Sequence, residues 1–410
     1  MARTASVSPL DARYDFVRSM KPLGPLCALA VLVAGCAGFG RAPRRTDRVH
    51  FRSSPQFEGK RFHNDEPMYM DWWGALQRGP RGVQREPDAP LPVVKRSREA
   101  FATPPASGLR ATWLGHSSVL LELDGVVVLT DPHFGPRSSP FRGAGPKRWY
   151  PAPLALEDLP PLDAVLISHD HYDHLDHTTL QRMADWDTRF IVPLGVGGHL
   201  QRWGVPRERI TELDWWDELQ LGEVRLACVP ARHASGRRMV TRDRTLWAGY
   251  ALVGPRHRVY VSGDTGLFPA LEVIGTRYGP FDLTMIEVGQ YNDSWPDWHL
   301  GPEQAVLAHR MVRGKTMLPV HWGLFRLAPH GWTEPIERVL VKADAAKVRV
   351  ATPKPGQSVE PDASVPTARW WPDAAWQTEA EHPIRATKAG DGGERMDTDA
   401  LFERFADPVP

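Results

Sequence analysis

From Arg110 onward the chain reads as short apolar runs broken at close intervals by turn residues. Residues 111–114 and 119–123 predict strands, Asp124-Gly125 is a strong two-residue hairpin signal, and 126–129 predict the next strand, which stops at Thr130-Asp131-Pro132. Further strands are predicted at 164–167, 190–193, 224–229, 246–253, 259–262, 283–288 and 317–320. Helices are predicted over 178–184 and, after Gly301-Pro302, over 303–311, where an early proline fits a helix start. Hairpins first, then strands interleaved with sparse helices, imply two mixed sheets packed together with helices outside. No repeat at solenoid spacing interrupts this pattern.

The flanks differ in character. Residues 37–107 are dense in Pro, Arg and Gly, with apolar islands such as Met68-Tyr69-Met70-Asp71-Trp72-Trp73, and predict a tether followed by an irregular arm that packs on the main domain. Residues 108–354 form the predicted folded domain, and 355–410, rich in Pro, Ala and Asp, predict a partly disordered tail that is loosest at 390–393. Before the arm, residues 26–36 form an apolar segment too short to cross a bilayer comfortably, which reads as a secretory leader. Its end, Val33-Ala34-Gly35-Cys36, resembles the bacterial lipobox, so the expectation is an exported lipoprotein, anchored through Cys36 on the periplasmic or outer-membrane face. The leader is long from Met1, and Met20 is an alternative start. With Cys27 in the leader and Cys36 at its end, Cys228 stands alone in the body and no intramolecular disulfide is expected.

Length and charge narrow the function only slightly. At 410 residues the chain is long enough for one large domain or two ordinary ones. Its 50 basic and 49 acidic residues give a net charge of +1, which with export and no basic stripe speaks against a nucleic-acid partner. Sixteen histidines are more telling, because they point to metal chemistry.

The densest group is His169-Asp170-His171-Tyr172-Asp173-His174, directly after the apolar run at 164–167. Imidazole nitrogen and carboxylate oxygen suit a borderline cation such as zinc, and a tight loop at a strand end lets them converge. The spacing is that of a dinuclear site, with His169 and His171 serving one ion and Asp173 and His174 the other. Downstream, His233, Asp264 and His321 each follow a predicted strand.

Taken together, these residues resemble the metallo-β-lactamase superfamily, and the resemblance covers about 110–350. It implies an α/β fold, the four-layer αβ/βα sandwich, with two zinc ions at one edge, iron or manganese also being compatible. On that resemblance His169, His171 and His233 hold one ion, Asp173, His174 and His321 the other, and Asp264 bridges both. An Asp at the bridge, where some antibiotic-hydrolysing members have Cys, argues against β-lactam hydrolysis. The strings Trp113-Leu114-Gly115-His116, Gly145-Pro146-Lys147-Arg148, Asp214-Trp215-Trp216, Gly263-Asp264-Thr265-Gly266, Gly279-Pro280-Phe281-Asp282-Leu283 and Val320-His321-Trp322-Gly323 are similar to the N-acylphosphatidylethanolamine-hydrolysing phospholipase D family.

That family implies phosphodiester cleavage of a phospholipid by a metal-activated water, with Asp173 and Asp264 as catalytic carboxylates and Asp131 supporting the metal histidines. His299 matches a family histidine near the substrate, although its neighbour Trp298 departs from the polar residue expected there. Tyr172, Lys147 and Arg148 are further candidates for the substrate, and Trp72-Trp73 and Trp370-Trp371 for a membrane interface or for core edges. The alternatives are a lactonase or other small-molecule metallohydrolase of the same fold, or a surface-tethered binding protein without catalysis. A homodimer is compatible with the sequence.

Overall fold

The computed structural model describes residues 37–77, 82–141 and 143–406; the leader and Cys36 lie outside them. The arm carries a hairpin, β1 (Phe57–Glu58) with β2 (Arg61–Phe62), and a short helix α1 (Trp72–Gln77). The first large sheet contains β3 (Leu109–Gly115), β4 (Ser118–Leu123), β5 (Val126–Thr130), β6 (Ala164–Leu166), β7 (Arg189–Pro193) and β8 (Ile210–Leu213). The second contains β9 (Glu218–Leu221), β10 (Val224–Val229), β11 (Gly249–Val253), β12 (Arg258–Val261), β13 (Phe281–Glu287), β14 (Gly314–Val320) and β15 (Arg349–Val350). Strand β16 (Ser358–Val359) returns to pair with β3, so each large sheet has seven strands. The helices are α2 (His177–Arg182), α3 (Gly197–Arg202), α4 (Ala270–Tyr278), α5 (Pro302–Met311), α6 (Glu334–Ala345) and α7 (Thr398–Arg404).

Alternation along the strands builds the layers. In β4, Val119, Leu121 and Leu123 enter the core shared with the second sheet, while Leu120 faces the other way. Likewise Val128 and Ile191 point inward between the sheets, whereas Leu129, Phe190 and Val192 pack with Leu180 of α2 and Leu200 of α3. Leu271 of α4, Val306 of α5 and Ile336 of α6 join the shared core, with Leu226, Tyr250 and Leu283 of the second sheet. The result is the expected αβ/βα sandwich. Asp124 and Gly125, both at positive φ, make the tight turn between β4 and β5.

Two flank expectations are corrected. Residues 37–41 are fastened to the body and do not form a free tether: Trp203 donates to the Ala37 carbonyl at 2.8 Å, and Arg237 to that of Gly38 at 2.6 Å. Residues 355–406 are also packed, with Trp370, Trp371, Ile384, Ala386 and Thr387 buried. Even the glycine-rich stretch is seated, since a side chain on Gly390 would strike Pro67 and one on Gly392 would strike Tyr69. Trp370 and Trp371 tilt against Trp322 in the core, so they cover a core edge and have no surface to offer a membrane.

Candidate metal centre

The ligand-bearing segments all leave the carboxyl ends of strands. His116 follows β3, Asp131 follows β5, the 169–174 loop follows β6, His233 follows β10, Asp264 follows β12 and His321 follows β14. In each sheet these strands run the same way. β3 and β5 both oppose β4, and β6 is parallel to β5. β10 and β12 both oppose β11, and β13 and β14 run parallel to β12. Ligands at strand ends therefore meet on one edge of the sandwich, where open α/β sheets place their sites.

Two clusters form there and share an oxygen. In the first, His171 Nδ1 lies 2.8 Å from His169 Nε2 and 3.2 Å from His233 Nε2. In the second, Asp173 Oδ2 lies 3.2 Å from both His174 Nε2 and His321 Nε2. Asp264 Oδ2 stands between them, 3.7 Å from His169 Nε2 and from His233 Nε2, 3.1 Å from His174 Nε2 and 3.2 Å from His321 Nε2. Two nitrogens each about 2.05 Å from one tetrahedral cation sit roughly 3.3 Å apart, so these separations match ligands around a common centre. Asp264 Oδ1 and His174 Nε2 are buried without a hydrogen-bond partner. Nitrogen and oxygen donors at this spacing fit divalent cations.

Electrostatics favour the same occupant. Burial pushes His169 and His233 well below the usual imidazole range and lowers His171, so all three offer lone pairs at neutral pH. In the second cluster burial works the same way, but Asp264 and Asp173 outweigh it, raising His174 strongly and His321 to about 10. Burial likewise opposes ionisation of Asp264 and Asp173, yet the histidines, His174 foremost, hold both well below the usual carboxylate range. Protons on His174 and His321 thus balance two buried carboxylates, and a cation would replace them.

Surrounding groups orient the ligands. Asp131 accepts from Ser168 N at 2.7 Å, from Ser168 Oγ at 2.7 Å and from His174 Nδ1 at 2.8 Å. His233 Nδ1 donates to the Trp298 carbonyl at 2.8 Å, and Ser168 Oγ sits 3.0 Å from His169 Nδ1. Such partners fix which ring nitrogen faces the metal.

Above the clusters opens a cleft of about 360 Å³ with His171, Asp173, Asp264, His299 and His321 on its floor. Its walls include Met70, Trp72, Trp295, Trp298 and Leu327. Of the proposed substrate residues, only His299 lines it. Tyr172 instead donates to the Arg237 carbonyl at 2.5 Å and lies under that guanidinium. Arg148 is also corrected: its guanidinium is buried, donating to the Tyr150 and His133 carbonyls at 2.8 and 3.3 Å, and has no reach to a headgroup. Lys147 is exposed, on a bridge with Arg137 away from the cleft lining.

Three residues of the site carry no role in the sequence reading. His116 Nε2 lies 2.8 Å from Asp173 Oδ2; burial holds its pKa down at about 3, so it is a neutral donor that aims Asp173. Glu287, fully buried, places Oε2 2.8 Å from His299 Nδ1 and 3.1 Å from His321 Nδ1, while Oε1 accepts from Thr265 N at 2.7 Å. A glutamate closing the apolar run of β13 was the available signal. Asp170 takes no part in the two clusters: it accepts from Gly236 N at 2.6 Å and pairs with His199 Nε2 at 3.1 Å, which pins the 169–174 loop.

Comparison with known proteins agrees with this geometry. Residues 127–322 match the model of the beta-lactamase superfamily domain. An uncharacterized protein of Mycobacterium tuberculosis is 50% identical over 289 residues, covering 70% of this chain and 77% of its own length. N-acyl-phosphatidylethanolamine-hydrolyzing phospholipase D 1 of Caenorhabditis elegans is 38% identical over 259 residues, covering 60% of this chain and 71% of its own length. The solved isothiocyanate hydrolase from Delia radicum gut bacteria superposes with a TM-score of 0.51 at 20% identity, covering 61% of this chain and 98% of that one, a likeness of fold.

Proposed function

The chain belongs to the metallo-β-lactamase superfamily, near its N-acylphosphatidylethanolamine-hydrolysing phospholipase D branch, and from that footing we propose that it cleaves the phosphodiester of an N-acylated or related phospholipid. It is a metal-dependent hydrolase of that superfamily. The observation that carries the lipid reading is the cleft itself, where a metal-ligand floor lies beneath walls of Trp72, Trp295, Trp298, Met70 and Leu327. A phosphodiester with a long apolar substituent presents the matching pair of chemistries. The 38% identical C. elegans relative, which carries a phospholipase D name, supports the same reading.

Divalent cations held by the two clusters, zinc being the best match to imidazole and carboxylate, would supply an acidified water and offset charge on the phosphoryl oxygens. The chain's own groups do the rest. Asp264 Oδ2, shared by both clusters, fixes their separation. Asp173, whose oxygen is aimed by His116, is placed to orient the attacking water or accept its proton. His299 has Nδ1 committed to Glu287, which leaves Nε2 toward the cleft to meet a phosphoryl or leaving-group oxygen. The apolar walls exclude competing water from that floor.

The test is an assay of the metal-loaded protein, with Asp264→Ala as control, against N-acylated phospholipids, ordinary phospholipids and soluble lactones. Release of phosphatidate from lipids, lost in Asp264→Ala, is expected. Lactone opening with every phosphodiester intact would refute the lipid reading and leave the hydrolase.

A further inference from the structure

Large apolar side chains remain exposed at Trp72, Trp73, Phe141, Met239 and Val240, with Trp73 at 76%, Met239 at 78% and Val240 at 70% accessibility. They are scattered in sequence but linked in space. Phe141 meets Phe39 edge to face at 5.5 Å, and the Arg238 guanidinium lies 4.4 Å above Phe39. Next come Met239 and Val240 on a single 3-10 turn, and then Arg242, whose guanidinium sits 4.9 Å above Trp298 in the cleft wall. Across the mouth, Trp72 is itself part of the wall, and α1 is held there by Asp71 N donating to the Ser294 carbonyl at 2.7 Å. The patch is therefore a rim around the cleft opening.

We infer that this rim is a membrane-docking surface, on which Trp73, Met239 and Val240 enter the interfacial layer of an anionic bilayer and Arg238 and Arg242 meet its headgroups. The inference rests on the proposed reading of the cleft as a lipid phosphodiesterase, and names the surface from which the substrate enters. Arg238 is exposed, and Arg242 is half-buried and paired with Asp243 at 3.2 Å; indole rings beside such guanidinium groups are the composition a headgroup layer accepts, apolar bodies inward and cations on lipid phosphate. A protein partner would find at the centre of this rim an open cleft, not a packed patch.

The start of the described chain reinforces the orientation. Ala37 and Gly38 are tied to Trp203 and Arg237, the absence of a side chain on Gly38 admits the Pro140 backbone, and Phe39 belongs to the rim. The residue preceding Ala37 is Cys36. An acyl anchor at Cys36 would leave the body beside the rim, with no slack between them, and would press the cleft onto the bilayer.

The full chain in a Cys27→Ser, Cys36→Ser background tests this, since Cys228 is buried and spares the introduced thiol. An environment-sensitive fluorophore on Val240→Cys should shift to the blue and be quenched by bromolipids in phosphatidylglycerol vesicles. The same label on Val341→Cys, also exposed, should stay as in water. In the unlabelled protein, Met239→Asp with Val240→Asp should lower turnover of vesicle-borne lipid about tenfold and leave hydrolysis of a soluble monomeric phosphodiester unchanged. A label at 240 no different from one at 341 overturns the docking surface, even where the lipid is hydrolysed. Insertion at 240 without turnover of any phosphodiester upholds the surface and removes the substrate reading instead.

Discussion

Replacing Asp131 by Asn keeps the shape of the side chain and changes only what it offers its neighbours. The carboxylate accepts three hydrogen bonds, from Ser168 N, Ser168 Oγ and His174 Nδ1. An amide has one accepting oxygen and one donating nitrogen, so either Ser168 N or His174 Nδ1 must face a donor. The Ser168 amide hydrogen cannot move, whereas His174 can shift its proton from Nδ1 to Nε2. His174 Nε2 is the nitrogen 3.2 Å from Asp173 and 3.1 Å from Asp264, and once protonated it cannot ligate. The second cluster should lose metal affinity by about 10- to 100-fold, roughly 1.4 to 2.7 kcal/mol. The first cluster should be spared, because His169 leans on Ser168 and His233 on a carbonyl. Titration against a chromophoric zinc chelator, with metal content after dialysis, measures this directly. Two ions per chain at unaltered affinity in Asp131→Asn would refute the tautomer argument.

Other consequences follow from the same contacts. Because Asp264 and Asp173 raise His174, and raise His321 to about 10, the metal-free second cluster is stabilised by its protons below about pH 6.5 and loses that as pH climbs through the raised values. A cation needs the same protons gone, so the gain in Tm on adding zinc should grow from pH 6 to pH 9, and a flat difference would contradict the assignment. Trp371, buried and donating to Glu337 at 2.7 Å, should cost about 3–5 kcal/mol when changed to Ala, read by urea unfolding; a change near zero would return residues 355–406 to the status of a tail. His116→Ala should weaken the second metal and lower kcat, with little change in the first site, as judged by the same chelator titration; equal loss at both sites would sink its assignment to Asp173.

The sandwich was legible wherever apolar side chains fill most of a strand, as in β4, β5 and β10, whose only charged residues are Glu122 and Arg225. Helix α6 escaped notice for the opposite reason. Its Glu334, Glu337 and Arg338 are buried, Arg338 pairing with Glu303 at 2.7 Å and Glu334 at 3.2 Å, so its core-facing stripe reads as a solvated face. Composition also misled over 355–406, where prolines and aspartates surround the few side chains, Trp370, Trp371 and Ile384, that dock. At the site, the metal loop declares itself through local density, and His233, Asp264 and His321 through their place after strands. His116, Glu287 and Asp170 act on other side chains rather than facing the cleft alone, and long-range pairing of that kind leaves no spacing to read. Arg148 failed for a related reason: sequence shows a cation in a loop, not that its guanidinium turns inward to two carbonyls.

The most direct test is hydrolysis of N-acylphosphatidylethanolamine by the metal-loaded protein in water enriched in heavy oxygen, with both products weighed by mass spectrometry. Attack at phosphorus predicts one heavy oxygen in the phosphatidate and none in the N-acylethanolamine. Intact lipid, or label in the alcohol, would contradict the account.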